Sequence, residues 1–118
     1  MILHNDAVDA ILTRRSIRSY QAKQISEDAL ETILTAGQYA PSGMNQQSAK
    51  AIVVQSKERM QQLVQLAKAA EQVDHNPFYD APTVILVFAD ATQLAPLEDG
   101  CNVLENMMLA AHAIGLGS

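Results

Sequence analysis

A chain of 118 residues with 48% hydrophobic and 18% charged content is globular in character and sufficient for one domain. Thirteen acidic against eight basic residues give a formal charge of −5, which excludes the broad basic face that nucleic-acid binding requires. The single cysteine, Cys101, excludes an internal disulfide framework. With no basic-then-apolar leader and no apolar run longer than "VILVFA" at 84–89, the expectation is a cytoplasmic protein without a membrane span.

In chain order, Asp6 is placed to cap a first helix over 6–13, with Val8, Ile11 and Leu12 at helical spacing. "RRSIRSYQAKQ" breaks that pattern. Ser26 opens a second helix, whose Glu27 and Asp28 suit the positive end of its dipole, and Leu30, Ile33, Leu34 and Gly37 line one face. Pro41 and Gly43 end it in the polar loop "APSGMNQQ". "KAIVVQ", 50–55, reads as a strand. Ser56 caps a third helix with an apolar stripe of Met60, Leu63, Val64 and Ala67. "HNPFYDAP" is a loop and "TVILVFAD" a buried strand with almost no alternation. After "LAPLEDG", taken as a connection, a last helix covers about 101–114. It is apolar nearly all round, a pattern normally buried on most sides, with Met107 and Met108 as packing residues and Cys101 as a small core residue.

Four helices and two strands are an unusual inventory, because two strands rarely make a stable sheet. The arithmetic requires further strands from a partner chain or from a longer polypeptide. His4, His75 and His112 are far apart with no second ligand at metal spacing, so no metal site is expected. No Gly-x-Gly-x-x-Gly follows a strand, and no Ser-His-Asp or Cys-His arrangement stands out.

Two segments carry candidate chemistry. Residues 14–18 gather three of the chain's basic residues, Arg14, Arg15 and Arg18, around Ser16. One reading is a solvated basic turn at a helix C-terminus, where cations suit the dipole. The other is an anion site, because guanidinium offers a planar fork of donors matched to phosphate and the hydroxyl adds a short donor. In an extended segment Arg14, Ser16 and Arg18 share one side. The second segment, "APSGMNQQ", is either an ordinary helix-ending loop or a ligand edge. Ser42, Asn45, Gln46 and Gln47 supply donors and acceptors suited to a heteroaromatic ring, and Gly43 permits close approach to the backbone.

Taken together, "RRSIRSYQAKQIS", "AGQYAPSGMNQQ", "FYDAPTVILVFAD" and "NMMLAAHAIGLGS" resemble, in this order, four stretches of the nitroreductase-like flavin enzymes. The resemblance implies an α+β fold with a mixed, mainly antiparallel sheet flanked by helices. It implies a homodimer with a long central helix, and a single domain over 1–118 that lacks the C-terminal strands of its relatives. It further implies an FMN-dependent, NAD(P)H-using reductase of nitroaromatics, quinones or related small-molecule acceptors, acting by ping-pong hydride transfer, with the flavin at the dimer interface. Carried over by position, Arg14, Arg15 and Ser16 hold the FMN phosphate, and Arg18 reaches the ribityl chain and pyrimidine edge. Pro41, Ser42, Gly43, Asn45 and Gln47 come from the other subunit. No side chain is assigned as catalytic, since the chemistry belongs to the cofactor. Where the family often follows the glutamine with a bulky pair, this chain has Ser48 and Ala49. The alternative reading is a non-catalytic flavin-binding or dimerisation remnant of the same family.

Overall fold

The computed structural model describes residues 1–118. Its elements are α1 (Asp6–Thr13), α2 (Glu27–Gln38), a short 3₁₀ turn (Gly43–Asn45), β1 (Ala49–Val54), α3 (Lys57–Glu71), β2 (Val84–Ala89) and α4 (Pro96–Ala113). Side-chain caps fix three of the helix starts. Ser26 accepts from the backbone N–H of Ala29, and Ser56 accepts from that of Arg59. At α1 the cap is Asn5, whose Oδ1 accepts from Val8 N at 2.9 Å, and the expected cap Asp6 lies one residue inside the helix. Both side chains can cap; Asn5 is the one that keeps extended backbone, with φ −157°.

The two strands pair antiparallel, with Ala49 opposite Ala89 and Val54 opposite Val84. Strand alternation then puts Val53, Ile85 and Val87 on one face and Lys50, Ile52, Leu86 and Phe88 on the other. The first face lies toward α4: Ile85 and Val87 pack against the core, which is centred on Ile33 of α2 and on Met107 and Ala111 of α4. The second face leaves Ile52 and Phe88 exposed. The α2 stripe turns inward as the spacing requires. A Cβ at Gly37 would sit 2.9 Å from Met107 Cγ, so the absent side chain is what lets α2 and α4 approach closely.

α4 begins earlier than its apolar stretch does. Pro96 is its first residue, and Glu98 and Asp99 occupy the first turn, so the "LAPLEDG" segment is largely helix rather than connection. Proline suits this position because its missing N–H is one of the donors a helix leaves unpaired at its start. α4 is also less covered than its composition predicts. α2 and the sheet take one side, and Leu97 and Leu104 remain exposed. Cys101 is exposed too, not a core residue, because it projects from the uncovered part of the helix. Met107, in contrast, is buried as expected.

The C-terminus of α4 closes on a left-handed Gly115 with φ 87°. Gly115 N donates to His112 O at 3.0 Å, and Leu116 N donates to Ala111 O at 2.8 Å. Leu116 then packs on the core, so two otherwise orphaned carbonyls and one apolar side chain are satisfied by a single turn. A Cβ at Gly115 meets nothing within 4 Å. Gly115→Ala therefore costs about 1–2 kcal/mol from backbone conformation alone, read as a lowered midpoint in urea denaturation. An unchanged midpoint would show that this turn carries no strain.

Candidate functional site

The basic segment starts where α1 stops. Arg15 Nη1 donates to Leu12 O at 2.9 Å and to Arg14 O at 2.8 Å, so this guanidinium braces the end of α1, where carbonyls lack helical partners. Thr13 Oγ1 donates to Asp9 O at 2.6 Å and lies 2.8 Å from His112 Nε2, tying α1 to the last turn of α4. A hydroxyl has one proton, so the bond to His112 is donated by the imidazole. Further along, Ile17 N donates to Ser118 O at 3.0 Å, and Tyr20 Oη donates to Ile17 O at 2.7 Å. The segment is thus fixed on both sides of its arginines.

Arg14, Ser16 and Arg18 are different from Arg15. Their side chains have no hydrogen-bond or ion-pair partner within the chain, whose one ion pair is His4 with Asp9. Arg14 is nevertheless half-buried. A pinned backbone carrying unengaged guanidinium and hydroxyl donors is the composition of an anion site. Beside it, burial raises the Tyr20 phenol above its usual value, and the positive charge of Arg18 opposes that shift.

The polar loop is strained and clamped. Met44, Asn45 and Gln47 have φ of 51°, 54° and 52°, a left-handed conformation that costs about 1–2 kcal/mol per non-glycine residue. Ser42 Oγ accepts from Gln47 N at 3.1 Å, and Gln47 Nε2 donates to Asn45 Oδ1 at 3.2 Å. Gln46 Oε1 accepts from Leu94 N at 2.9 Å, so this amide holds the loop to the start of α4. Gly43 is approached by its own chain: a Cβ there would lie 3.2 Å from that of Ala95. Asn45 and Gln47 are exposed. Similar strain appears at Tyr79 and Asp80, with φ 52° and 59°, in the "HNPFYDAP" loop. Such conformations persist where surrounding structure over-determines them, often at functional loops.

The two candidate segments are anchored far apart. The polar loop is held at Asp99 near the start of α4, where Gly43 N donates to Asp99 Oδ1 at 2.8 Å. The basic segment is held at His112, thirteen residues along the helix, which is roughly 20 Å of axis. The residues were legible from sequence, but this separation was not. Asp99 was missed as well. It is 2% exposed and accepts from Gly43 N and from Ser48 Oγ, the latter at 2.7 Å. Its one sequence signal was an acid in a first helical turn opened by proline.

Fold and site together define an α+β domain built around one central helix, with an arginine-rich segment at one end of that helix and an amide-rich loop at the other. The Nitroreductase family profile matches residues 11–118. The FMN reductase (NAD(P)H) of Bacillus subtilis strain 168 is 35% identical over 120 residues, covering 95% of this chain and 46% of the relative. The NADPH-flavin oxidoreductase of Vibrio harveyi is 30% identical over 125 residues, covering 96% of this chain and 52% of the relative. Among solved structures, a nitroreductase from Bacteroides fragilis NCTC 9343 with bound FMN superposes with a TM-score of 0.88 at 32% identity, covering 95% of this chain and 67% of that one. This chain belongs to the nitroreductase family. It spans about half the length of these two curated relatives.

Proposed function

We propose that this chain is the cofactor-holding portion of an FMN-dependent NAD(P)H oxidoreductase, and that two copies share each flavin. The observation that carries the reading is the pair of sites at opposite ends of α4. Arg14, Ser16 and Arg18 lack partners at one end, and a strained amide loop is clamped at the other. Within one chain they lie too far apart to act as a single pocket. Two copies with their central helices antiparallel bring the basic segment of one against the loop of the other. Leu97 and Leu104, exposed on α4, supply apolar surface for that contact.

In this arrangement Arg14 and Ser16 hold the FMN phosphate, and Arg15 braces the turn behind them. Arg18 reaches the ribityl chain and the pyrimidine edge of the ring. From the second copy come Pro41, Ser42, Gly43, Asn45 and Gln47, where Ser42 and Gly43 shape the turn and Asn45 and Gln47 offer amides to the ring. The donor set fits the group: an anionic tail meets guanidinium and hydroxyl, and a ring edge of alternating donors and acceptors meets side-chain amides. Bound FMN supplies two-electron transfer from NAD(P)H to a nitroaromatic, quinone or related acceptor in two half-reactions. The protein's part is to bind, orient and place fixed positive charge near the ring.

The test is a flavin titration on purified protein with its oligomeric state measured alongside. Bound flavin absorbance at one FMN per chain in a dimer is expected, followed by NAD(P)H oxidation when a quinone is added. A folded dimer that stays colourless in excess FMN removes the reading. Flavin binding without NAD(P)H oxidation leaves a binding remnant rather than a reductase.

A further inference from the structure

α4 carries a row of polar side chains aimed at the segment leading into the amide loop. Asn106 Nδ2 donates to Ala36 O at 3.0 Å, and Asn102 Nδ2 reaches Pro41 O at 3.5 Å. Asp99 accepts from Gly43 N at 2.8 Å and from Ser48 Oγ at 2.7 Å. Positions 99, 102 and 106 fall on one face of a helix. They meet residues 36, 41, 43 and 48 in antiparallel order, so the segment is fastened to the helix at successive points.

Asp99 is the strongest of these fastenings. It is 2% exposed, Ser48 is 6% exposed, and no buried side-chain polar atom of the chain is left unpaired. Its two oxygens grip the loop at both ends of the left-handed residues Met44, Asn45 and Gln47. A loop with three residues in a costly conformation relaxes unless something outside it fixes its ends.

We infer that Asp99 is a positioning residue for the flavin site: by holding Gly43 and Ser48 it fixes the shape of the loop that presents Asn45 and Gln47 to the cofactor bound mainly by the second copy. This rests on the FMN reading above. Asp99 does not touch the cofactor. It acts through the loop, and Ser48, which stands where the family often has a bulky residue, is the partner this chain uses.

The experiment compares FMN affinity, the visible circular dichroism of bound flavin, and thermal stability in the wild type, Asp99→Ala, Asp99→Asn and Ser48→Ala. Asp99→Ala is expected to weaken FMN about 10- to 100-fold, the range for losing a strong buried hydrogen-bonding group, and to change the dichroism of the flavin that still binds. Asp99→Asn keeps an acceptor for Gly43 N and a donor that the Ser48 hydroxyl can accept, so it restores most of the affinity and the wild-type dichroism. Should Asp99→Ala fail to fold, Ser48→Ala, which loses one of the two grips, is expected to show a smaller loss of affinity with the same change in dichroism. A folded Asp99→Ala, or failing that a folded Ser48→Ala, with wild-type affinity and dichroism overturns the inference alone. An Asp99→Asn variant as impaired as Asp99→Ala also overturns it, because shape would not be what matters. A wild-type protein that binds no FMN removes the underlying reading, and the inference with it.

Discussion

Arg14→Ala is expected to lower FMN affinity by about 1.5–3 kcal/mol, roughly ten- to a hundredfold or slightly more, as read by flavin fluorescence titration. The magnitude follows from what the side chain is and where it stands. Arg14 caps the end of α1, and its backbone N–H donates to Ala10 O at 3.1 Å, so its Cα is fixed. The residue is half-buried, and its guanidinium has no hydrogen-bond or ion-pair partner within the chain. Removing it breaks no internal hydrogen bond or ion pair, so the denaturation midpoint should move far less than the FMN affinity. Arg14→Lys keeps the charge but not the planar fork, and should fall between the two. Arg15→Ala should do the reverse, loosening α1, because its Nη1 bonds Leu12 O and Arg14 O. Unchanged affinity in Arg14→Ala would remove the phosphate assignment.

Met107→Ala has the largest expected effect on stability, a loss of about 2–5 kcal/mol. Single domains are stable by only about 5–15 kcal/mol in all. Met107 is 5% exposed and shares the core with Ile33 and Ala111, against Leu34, Ile85, Val87, Val103 and Leu116. Its side chain also fills the space left by Gly37 on α2. Truncation thus opens a cavity where α2, α4 and the sheet meet, and there is no second buried cluster to compensate. Met107→Leu, which nearly conserves volume, should cost less than about 1.5 kcal/mol. Leu66→Ala, on the exposed side of α3, should stay within about 0.5 kcal/mol. A Met107→Ala midpoint in urea equal to that of Leu66→Ala would show that the core is not centred here.

The elements legible in the sequence were those whose signals are local. Ser26 and Ser56 announce α2 and α3 because a hydroxyl before an amphipathic stripe has one favourable use. "VILVFA" matches the span of β2 because six apolar residues bounded by breakers fit a strand. The strand is not buried on both faces as expected: only Val84 is buried and Phe88 is exposed, because α4 covers one face of the sheet alone. The start of α4 was hidden by the composition of its first turn: proline and glycine close together read as a connection, although proline opens helices well. The types of residue at the candidate site were equally legible, since three arginines in an acidic chain need an explanation. Their arrangement was not. The partners of Asp99 lie more than fifty residues away, and only the packing of α4 against the loop brings them together. Nor does residue spacing reveal that the basic and amide groups sit at opposite ends of one helix.

The two-stranded sheet has a consequence for handling the protein. β1 and β2 bond only to each other, so each leaves one bare rim of backbone donors and acceptors, next to a face carrying Ile52 and Phe88. Unpaired rims of this kind are templates for sideways addition of further strands. Left uncovered in concentrated solution, these rims favour strand addition between chains, an expectation that turbidity or light scattering against concentration checks.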